Sequence, residues 1–256
     1  MNNFIDTHCH LYAEQFDEDR DMVLQNAINA GVETILLPNI DLESIEGLYQ
    51  LVDKYPDNCL PMMGLHPCSV DANYKQTLDL IYKELQSRKF IAIGEIGLDY
   101  YWDLTYKTEQ IDAFATQLKW ASELNLPVAI HTRNSFEDTC KIVEEIKPNG
   151  LTGVFHCFSG SIEDAKRIED IDFYMGIGGV LTFKNGGIDK VMPEVPNECI
   201  ILETDAPYLA PVPIRGKRNE PKYIPIIAQK LAEVKNISLE EVTNITTSNA
   251  KRLFNI

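Results

Sequence analysis

The sequence is short of positive charge, of paired cysteines and of long apolar runs, and each shortage excludes something. Lys and Arg total 23 against 39 Asp and Glu, a net charge of −16. Such a balance argues against broad attraction to nucleic acid or to anionic membrane surfaces. A phosphate-bearing substrate must therefore be drawn by local positive charge or by metal. The six cysteines, Cys9, Cys59, Cys68, Cys140, Cys157 and Cys199, never take a CxxC spacing and mostly sit in apolar, strand-like runs. Reduced, buried thiols are expected rather than disulfides. No apolar run is long enough to span a bilayer. At the N-terminus no basic segment precedes an apolar one, and Asp6 comes too early for a signal peptide. These features predict a cytoplasmic protein with no membrane partner.

Internal repeats, low-complexity tracts and Pro/Gly/Ser linkers are also missing, so the 256 residues are expected to form one domain, 1–256, a length that suits a single α/β barrel. Short β-rich runs alternate with longer helix-period runs throughout. The predicted strands are Phe4–His8, Thr34–Pro38, Leu60–Leu65, Phe90–Glu95, Val128–His131, Gly153–His156, Phe173–Ile177 and Cys199–Glu203. Between them lie amphipathic stretches such as Ile111, Phe114, Ala115, Leu118, Ala121 and Leu124, spaced as one helix face requires. Asn134 with Glu137, Ser161 with Asp164 and Ser238 with Glu241 read as helix-start signals. Nearly all-apolar strands joined by helical crossovers imply a parallel sheet covered on both faces. Eight such units predict closure into a (β/α)8 TIM barrel, with an open doubly wound sheet as the alternative. The longest irregular stretch, Asp205–Asn219, follows the last strand, and loops of that length are usually functional.

Only five histidines are present, and all fall at or just after a predicted strand end: His8 and His10 on the first, then His66, His131 and His156. On the extended run Phe4-Ile5-Asp6-Thr7-His8-Cys9-His10 alternate side chains share a face, so His8 and His10 project together. Glu95 and Asp205 share the location. In a parallel barrel these ends converge on the face that carries the chemistry. A core does not ordinarily accept several polar groups at matched depth without a ligand to compensate them. Four imidazoles and two carboxylates directed into one mouth suit two divalent cations, one carboxylate bridging.

These residues lie in runs that are specific together. Asp6-Thr7-His8-Cys9-His10-Leu11, Gly94-Glu95-Ile96-Gly97-Leu98-Asp99-Tyr100, His131-Thr132-Arg133, His156-Cys157-Phe158-Ser159-Gly160, Glu203-Thr204-Asp205-Ala206-Pro207-Tyr208-Leu209 and Arg215-Gly216-Lys217-Arg218-Asn219-Glu220-Pro221 follow one another in order. The chain resembles the TatD family of metal-dependent deoxyribonucleases, within the amidohydrolase-like barrel superfamily. Asn134 and Cys68 depart from it: an acidic residue often follows the arginine, and histidine often continues the GxHP segment. The resemblance implies that His8, His10, Glu95 and Asp205 hold one metal and Glu95, His131 and His156 the second, with zinc, manganese, iron or magnesium as the cation. It implies that Asp205 and Glu95 are catalytic, Asp205 as the base that orients or deprotonates water. Glu203, one step deeper on the same strand face, is expected behind a histidine. His66 is expected to meet substrate phosphate or to support a ligand.

Arg133, Arg215, Lys217 and Arg218 place basic groups on the active rim, where barrel phosphate sites are frequently built. Gly178-Gly179 would let backbone approach a phosphate. Tyr100, Tyr101 and Trp102, just beyond Glu95, could stack on a terminal base. The expected activity is phosphodiester hydrolysis of DNA, from the 3′ end by resemblance. Two readings compete: hydrolysis of an ester or amide, such as deacylation of a D-aminoacyl-tRNA, and a non-catalytic metal-bound accessory protein. The sequence leaves oligomeric state open, a monomer being the default.

Overall fold

The computed structural model describes residues 3–147 and 150–256. Eight strands and their crossovers follow in the expected order: β1 (Phe4–Asp6), α1 (Arg20–Asn29), β2 (Val32–Leu37), α2 (Ser44–Lys54), β3 (Cys59–Pro61), α3 (Tyr74–Ser87), β4 (Ile93–Asp99), α4 (Lys107–Leu124), β5 (Val128–Arg133), α5 (Phe136–Ile146), β6 (Gly153–Phe155), α6 (Ile162–Asp170), β7 (Tyr174–Ile177), α7 (Ile188–Val191) and β8 (Ile200–Leu202). Two further helices, α8 (Ile224–Lys235) and α9 (Leu239–Phe254), complete the described chain. All pairings are parallel, with β1-β2-β3 in one ladder and β4 to β8 in another. Isolated bridges join the two ladders at both seams, Met62 with Ala92 and Cys9 with Ala206. Backbone hydrogen bonds reinforce them, Ile91 N to Pro61 O at 3.1 Å on one side and Thr7 N to Leu202 O at 3.0 Å on the other. The eight strands thus form a closed ring.

The interior is filled by one small set of side chains. Ile5, Leu36, Met62, Ala92, Ala129, Val154 and Ile201 pack together with Ala250, Leu253 and Phe254 of α9. This packed layer closes one end of the barrel to solvent and leaves the strands' C-terminal ends for polar groups. A larger apolar shell holds the helices against the outside of the ring.

Local departures from the expected boundaries have physical causes. β4 begins later and runs further than expected, because Ile96–Asp99 continues to pair with Ile130–Arg133 past an irregularity between Ile93 and Ile96. Glu95 therefore sits inside β4, at a bulge of the kind that re-aims a side chain. Gly97 is what lets the two strands meet there, since a Cβ at that position would lie 1.9 Å from His131 O. Asn134 does not open α5: it takes a positive φ of 54°, and Ser135 occupies the position before the helix. The Ser135 hydroxyl instead donates to Leu98 O at 2.7 Å, tying the loop to β4. Ser161 and Asp164 form the reciprocal capping box, and Ser238 accepts from Glu241 N. On α4, Leu124 is exposed, and the buried face includes Gln110 and Gln117 among the apolar residues. Gln117 exchanges two hydrogen bonds with the Leu65 backbone. All six cysteines are unpaired, Cys9, Cys59 and Cys140 buried, Cys157 and Cys199 half-buried and Cys68 exposed.

Candidate metal centre

Glu95 is the hub toward which all five imidazoles point. Its Oε2 lies 3.2 Å from His8 Nε2 and 3.5 Å from His10 Nε2. Its Oε1 lies 2.8 Å from His156 Nε2, 3.0 Å from His131 Nδ1 and 3.3 Å from His66 Nε2. Asp205 Oδ1 is 3.6 Å from His10 Nε2 on the other side. Three groupings have ligand atoms close enough to share an ion: His8, His10 and Glu95; His8, His156 and Asp205; and His66, Glu95 and His131. Residues spread from position 8 to position 205 meet at one barrel mouth because every contributing strand ends there.

The outer nitrogens of the imidazoles decide what the inner ones can do. Tyr12 Oη donates to Pro38 O at 2.6 Å and so must accept from His10 Nδ1 at 2.9 Å. That fixes the proton on Nδ1 and leaves the His10 Nε2 lone pair facing the cluster. His131 is held the opposite way: Asp99 Oδ2 accepts from its Nε2 at 2.9 Å, which turns Nδ1 toward Glu95 Oε1 at 3.0 Å, donating to that carboxylate in the bare protein and open to a cation once deprotonated. His156 turns Nδ1 toward Glu203 Oε1 at 3.5 Å, longer than a hydrogen bond, and Nε2 toward Glu95. His66 differs in kind. Its Nδ1 accepts from Cys68 N at 3.0 Å, so its proton resides on Nε2 and it faces the site as a donor.

Electrostatics agree with a cationic occupant. Burial would lift the Glu95 carboxyl, yet the pull of His156, His66 and His8 and a hydrogen bond from His131 hold it well below the usual range. Burial likewise opposes ionised Asp205, but His10, His156 and His8 keep its carboxyl low. In the bare protein protonated imidazole supplies the balancing charge: burial opposes it at His156, but Glu95 and Glu203 push that group well up. Among the described residues no lysine or arginine pairs with Glu95 or Asp205. The buried His8 Nδ1, His156 Nδ1 and Glu203 Oε2 lack hydrogen-bond partners. A buried donor set of this composition fits divalent cations, which take neutral imidazole and carboxylate together.

Supporting residues lie one layer out. Asp6 is fully buried and accepts from Thr204 N at 2.9 Å and Thr204 Oγ1 at 2.5 Å, so β1 and the segment carrying Asp205 are clamped together. Burial lifts the Asp6 carboxyl to about 8 against those donors. Burial acts against ionisation at Asp99 too, but His131 and the Tyr101 and Trp102 amides bring it down to about 2. Asp205 itself adopts φ 57° and Cys157 φ 50°, left-handed conformations that non-glycine residues hold only under constraint. Gly176 makes room for Glu203, whose Oε2 would lie 2.1 Å from a Cβ there.

The basic rim divides. Arg218 is consumed by the fold: Asp19 binds it through both oxygens at 2.8 and 2.6 Å, and Gln15 O accepts at 2.7 Å. These bonds occupy the guanidinium that the basic rim was expected to offer to substrate. Arg215 packs over Phe183 at 4.2 Å and Lys217 is exposed. Tyr100 is covered by Lys107 at 4.0 Å and bonds Asp138 at 2.9 Å, so its ring is no free stacking face. Exposed aromatics follow it, Tyr101 and Trp102, with Arg133 against them. A cleft of about 600 Å³ opens beside His156, bordered by Asn134, Phe136, Cys157 and Ser159. Tyr12 and Asp99 escaped assignment from sequence. Tyr12 continues the alternation of Asp6, His8 and His10, the signal that would have found it.

A closed parallel barrel with a buried imidazole and carboxylate cluster at the strands' C-terminal ends defines a metal-dependent hydrolase of the barrel type. A family model described as TatD related DNase matches residues 5–255. The chain belongs to that family. It is 43% identical over 254 residues to the uncharacterized metal-dependent hydrolase YabD of Bacillus subtilis, covering 98% of both chains. The 3'-5' ssDNA/RNA exonuclease TatD of Erwinia tasmaniensis is 33% identical over 258 residues, covering 98% of this chain and 99% of its own. Among solved structures, the TatD homolog YJJV of Escherichia coli K12 superposes with a TM-score of 0.93 at 30% identity, over 99% of this chain and 98% of that one.

Proposed function

We propose that the protein is a 3′-5′ exonuclease that hydrolyses terminal phosphodiester bonds of single-stranded nucleic acid, DNA foremost, with residues 1–256 acting as one unit in the cytoplasm. The observation that carries this reading is the convergence of five imidazoles on Glu95 beside Asp205. The naming of the Erwinia relative as a 3'-5' ssDNA/RNA exonuclease supports the choice of polymer.

In this reading His8, His10, Glu95 and Asp205 would hold one divalent cation, and Glu95, His131 and His156 would hold a second. Zinc, manganese or iron suits the mixed ligation, with magnesium a weaker occupant. Such cations supply Lewis acidity, lowering the pKa of water and neutralising phosphoryl charge. Asp205, partly open to solvent, accepts the proton of the attacking water. His66 Nε2–H donates to a phosphoryl oxygen, the role its tautomer leaves it. Asp99 and Tyr12 hold His131 and His10 in the orientations the ligands need, and Glu203 faces His156 Nδ1. Arg133, Arg215 and Lys217 remain for the phosphates outside the centre.

Protein stripped by chelation and reloaded with each cation tests the reading on 3′-hydroxyl oligonucleotides, their 3′-blocked counterparts and aminoacyl esters. Stepwise loss from free 3′ ends is expected, with Asp205→Asn slower by about 100-fold or more. Absence of phosphodiester cleavage with any cation refutes it, and so does an Asp205→Asn variant as active as the parent.

A further inference from the structure

The loop after β4 exposes apolar area that the barrel does not use. Tyr101 is 53% exposed and Trp102 69%, an unusual position for the larger of the two. Their rings meet edge to face at 4.8 Å, and the Arg133 guanidinium stands 3.8 Å from the Tyr101 ring centre and 5.1 Å from that of Trp102. Arg133 is itself exposed and, among the described residues, has no acidic partner within ion-pair distance. Arg133 thus lies over the Tyr101 ring, and Trp102 stands edge to face with that ring as the more exposed of the two.

One residue connects these side chains to the chemistry. Asp99 Oδ1 accepts from the Tyr101 and Trp102 amides at 2.9 and 3.3 Å, while its Oδ2 holds His131 at 2.9 Å. The platform is thus fixed in relation to the cluster and sits on the same rim. A protein of net charge −16 gains little from long-range attraction to a polyanion, so retention of a strand needs contacts that charge does not supply. Base faces stack on aromatic rings with little regard to sequence, and arginine adds a cation–π contribution.

We infer that Trp102, braced by Tyr101 and Arg133, forms a stacking platform for the unpaired bases of single-stranded nucleic acid next to the cleaved end. The inference rests on the exonuclease reading and adds that bases, as well as phosphates, are recognised. It also gives a reason for preferring single strands: in a duplex the bases are already stacked and paired.

Trp102 provides its own reporter. The chain has two tryptophans, and the other, Trp120, packs against Tyr82 at 4.9 Å, so Trp120→Phe leaves Trp102 as the single emitter. Metal-loaded protein is titrated with a short phosphorothioate oligothymidylate, which resists hydrolysis, and with an abasic chain of the same length and backbone. Trp102 fluorescence should be quenched by the first and not by the second. Trp102→Ala should weaken oligothymidylate binding about 5- to 150-fold, with Trp102→Phe restoring most of it. Equal affinity for both chains with unchanged emission overturns the platform, even if oligonucleotides are still trimmed. Quenching in a protein that cleaves no phosphodiester supports the platform and removes the exonuclease reading instead. A Trp102→Ala variant that changes only the sedimenting mass would make this face a contact between copies and overturn the proposal.

Discussion

Replacing Tyr12 by Phe removes one oxygen and leaves the ring, so it isolates what the hydroxyl does. That oxygen joins Pro38 O at 2.6 Å and His10 Nδ1 at 2.9 Å, inside a site where Tyr12 and His10 are each 6% exposed. Burial keeps the phenol well above its ordinary pKa, so it remains a donor to Pro38 at neutral pH. Two buried hydrogen bonds at about 1 kcal/mol each predict a loss of about 2 kcal/mol in the metal-free protein. The second effect falls on the metal. Without the acceptor at Nδ1 neither tautomer nor ring angle of His10 is fixed, and losing such a partner typically costs about 10- to 100-fold in metal affinity. That is about 1.4 to 2.8 kcal/mol at 1.4 kcal/mol per decade. Competition against a chromophoric chelator measures the affinity, and denaturant unfolding of the stripped protein measures the stability. A variant that loses stability but binds metal as tightly as the parent would refute the tautomer argument. One unchanged in both would show that the hydroxyl makes neither bond in solution.

Three other perturbations follow from the same packing. Gly176→Ala places a Cβ 2.1 Å from Glu203 Oε2, whereas Gly178→Ala meets nothing closer than 3.5 Å; the first should lose about 1 to 3 kcal/mol and at least about tenfold in activity, the second little, by calorimetry and rate measurement. Removing bound cation should lower the melting temperature by about 5 to 10 °C and returning it should restore the loss, since ligand at a hundred times Kd contributes about 2.7 kcal/mol; identical melts with and without chelator would count against the centre. Asp6 carries a pH signature. With its carboxyl raised to about 8, its contribution to the metal-free fold is complete below the unfolded value of 3.8 and is lost as pH rises through about 8. Asp6→Asn, an isostere of the protonated acid, should remove that decline in melts taken across the range, and Asp6→Ala should be destabilised throughout.

The number and order of the strands were legible because each is an apolar run bounded by helix-period residues, and tertiary pairing did not contradict local preference. Their ends were less so. Residues 96–99 carry two polar or small positions that weaken the strand pattern, and only pairing with residues 130–133 makes them strand. The five histidines were readable as a set because a scarce residue type recurred at the ends of successive strands, and Glu95 and Asp205 joined it by sharing that position. Arg218 shows the limit: its basic neighbours suggested a phosphate contact, but Asp19, nearly two hundred positions earlier, neutralises it. Asn134 and Ser135 show another, since both are good cap residues and the Leu98 carbonyl decides which one takes the position. Residues that act through a ligand, such as Asp99 on His131, are visible only once the distances are known.

The seam between β1 and β8 bears on biosynthesis. His8 emerges first and Asp205 last, yet their segments are adjacent in the finished ring, with Asp205 N bonded to His8 O at 2.8 Å. Everything from His8 through Asp205 must therefore leave the ribosome before the cluster can assemble. A product terminated before Asp205 lacks part of the cluster, so cation uptake would report that the ring has closed at this seam.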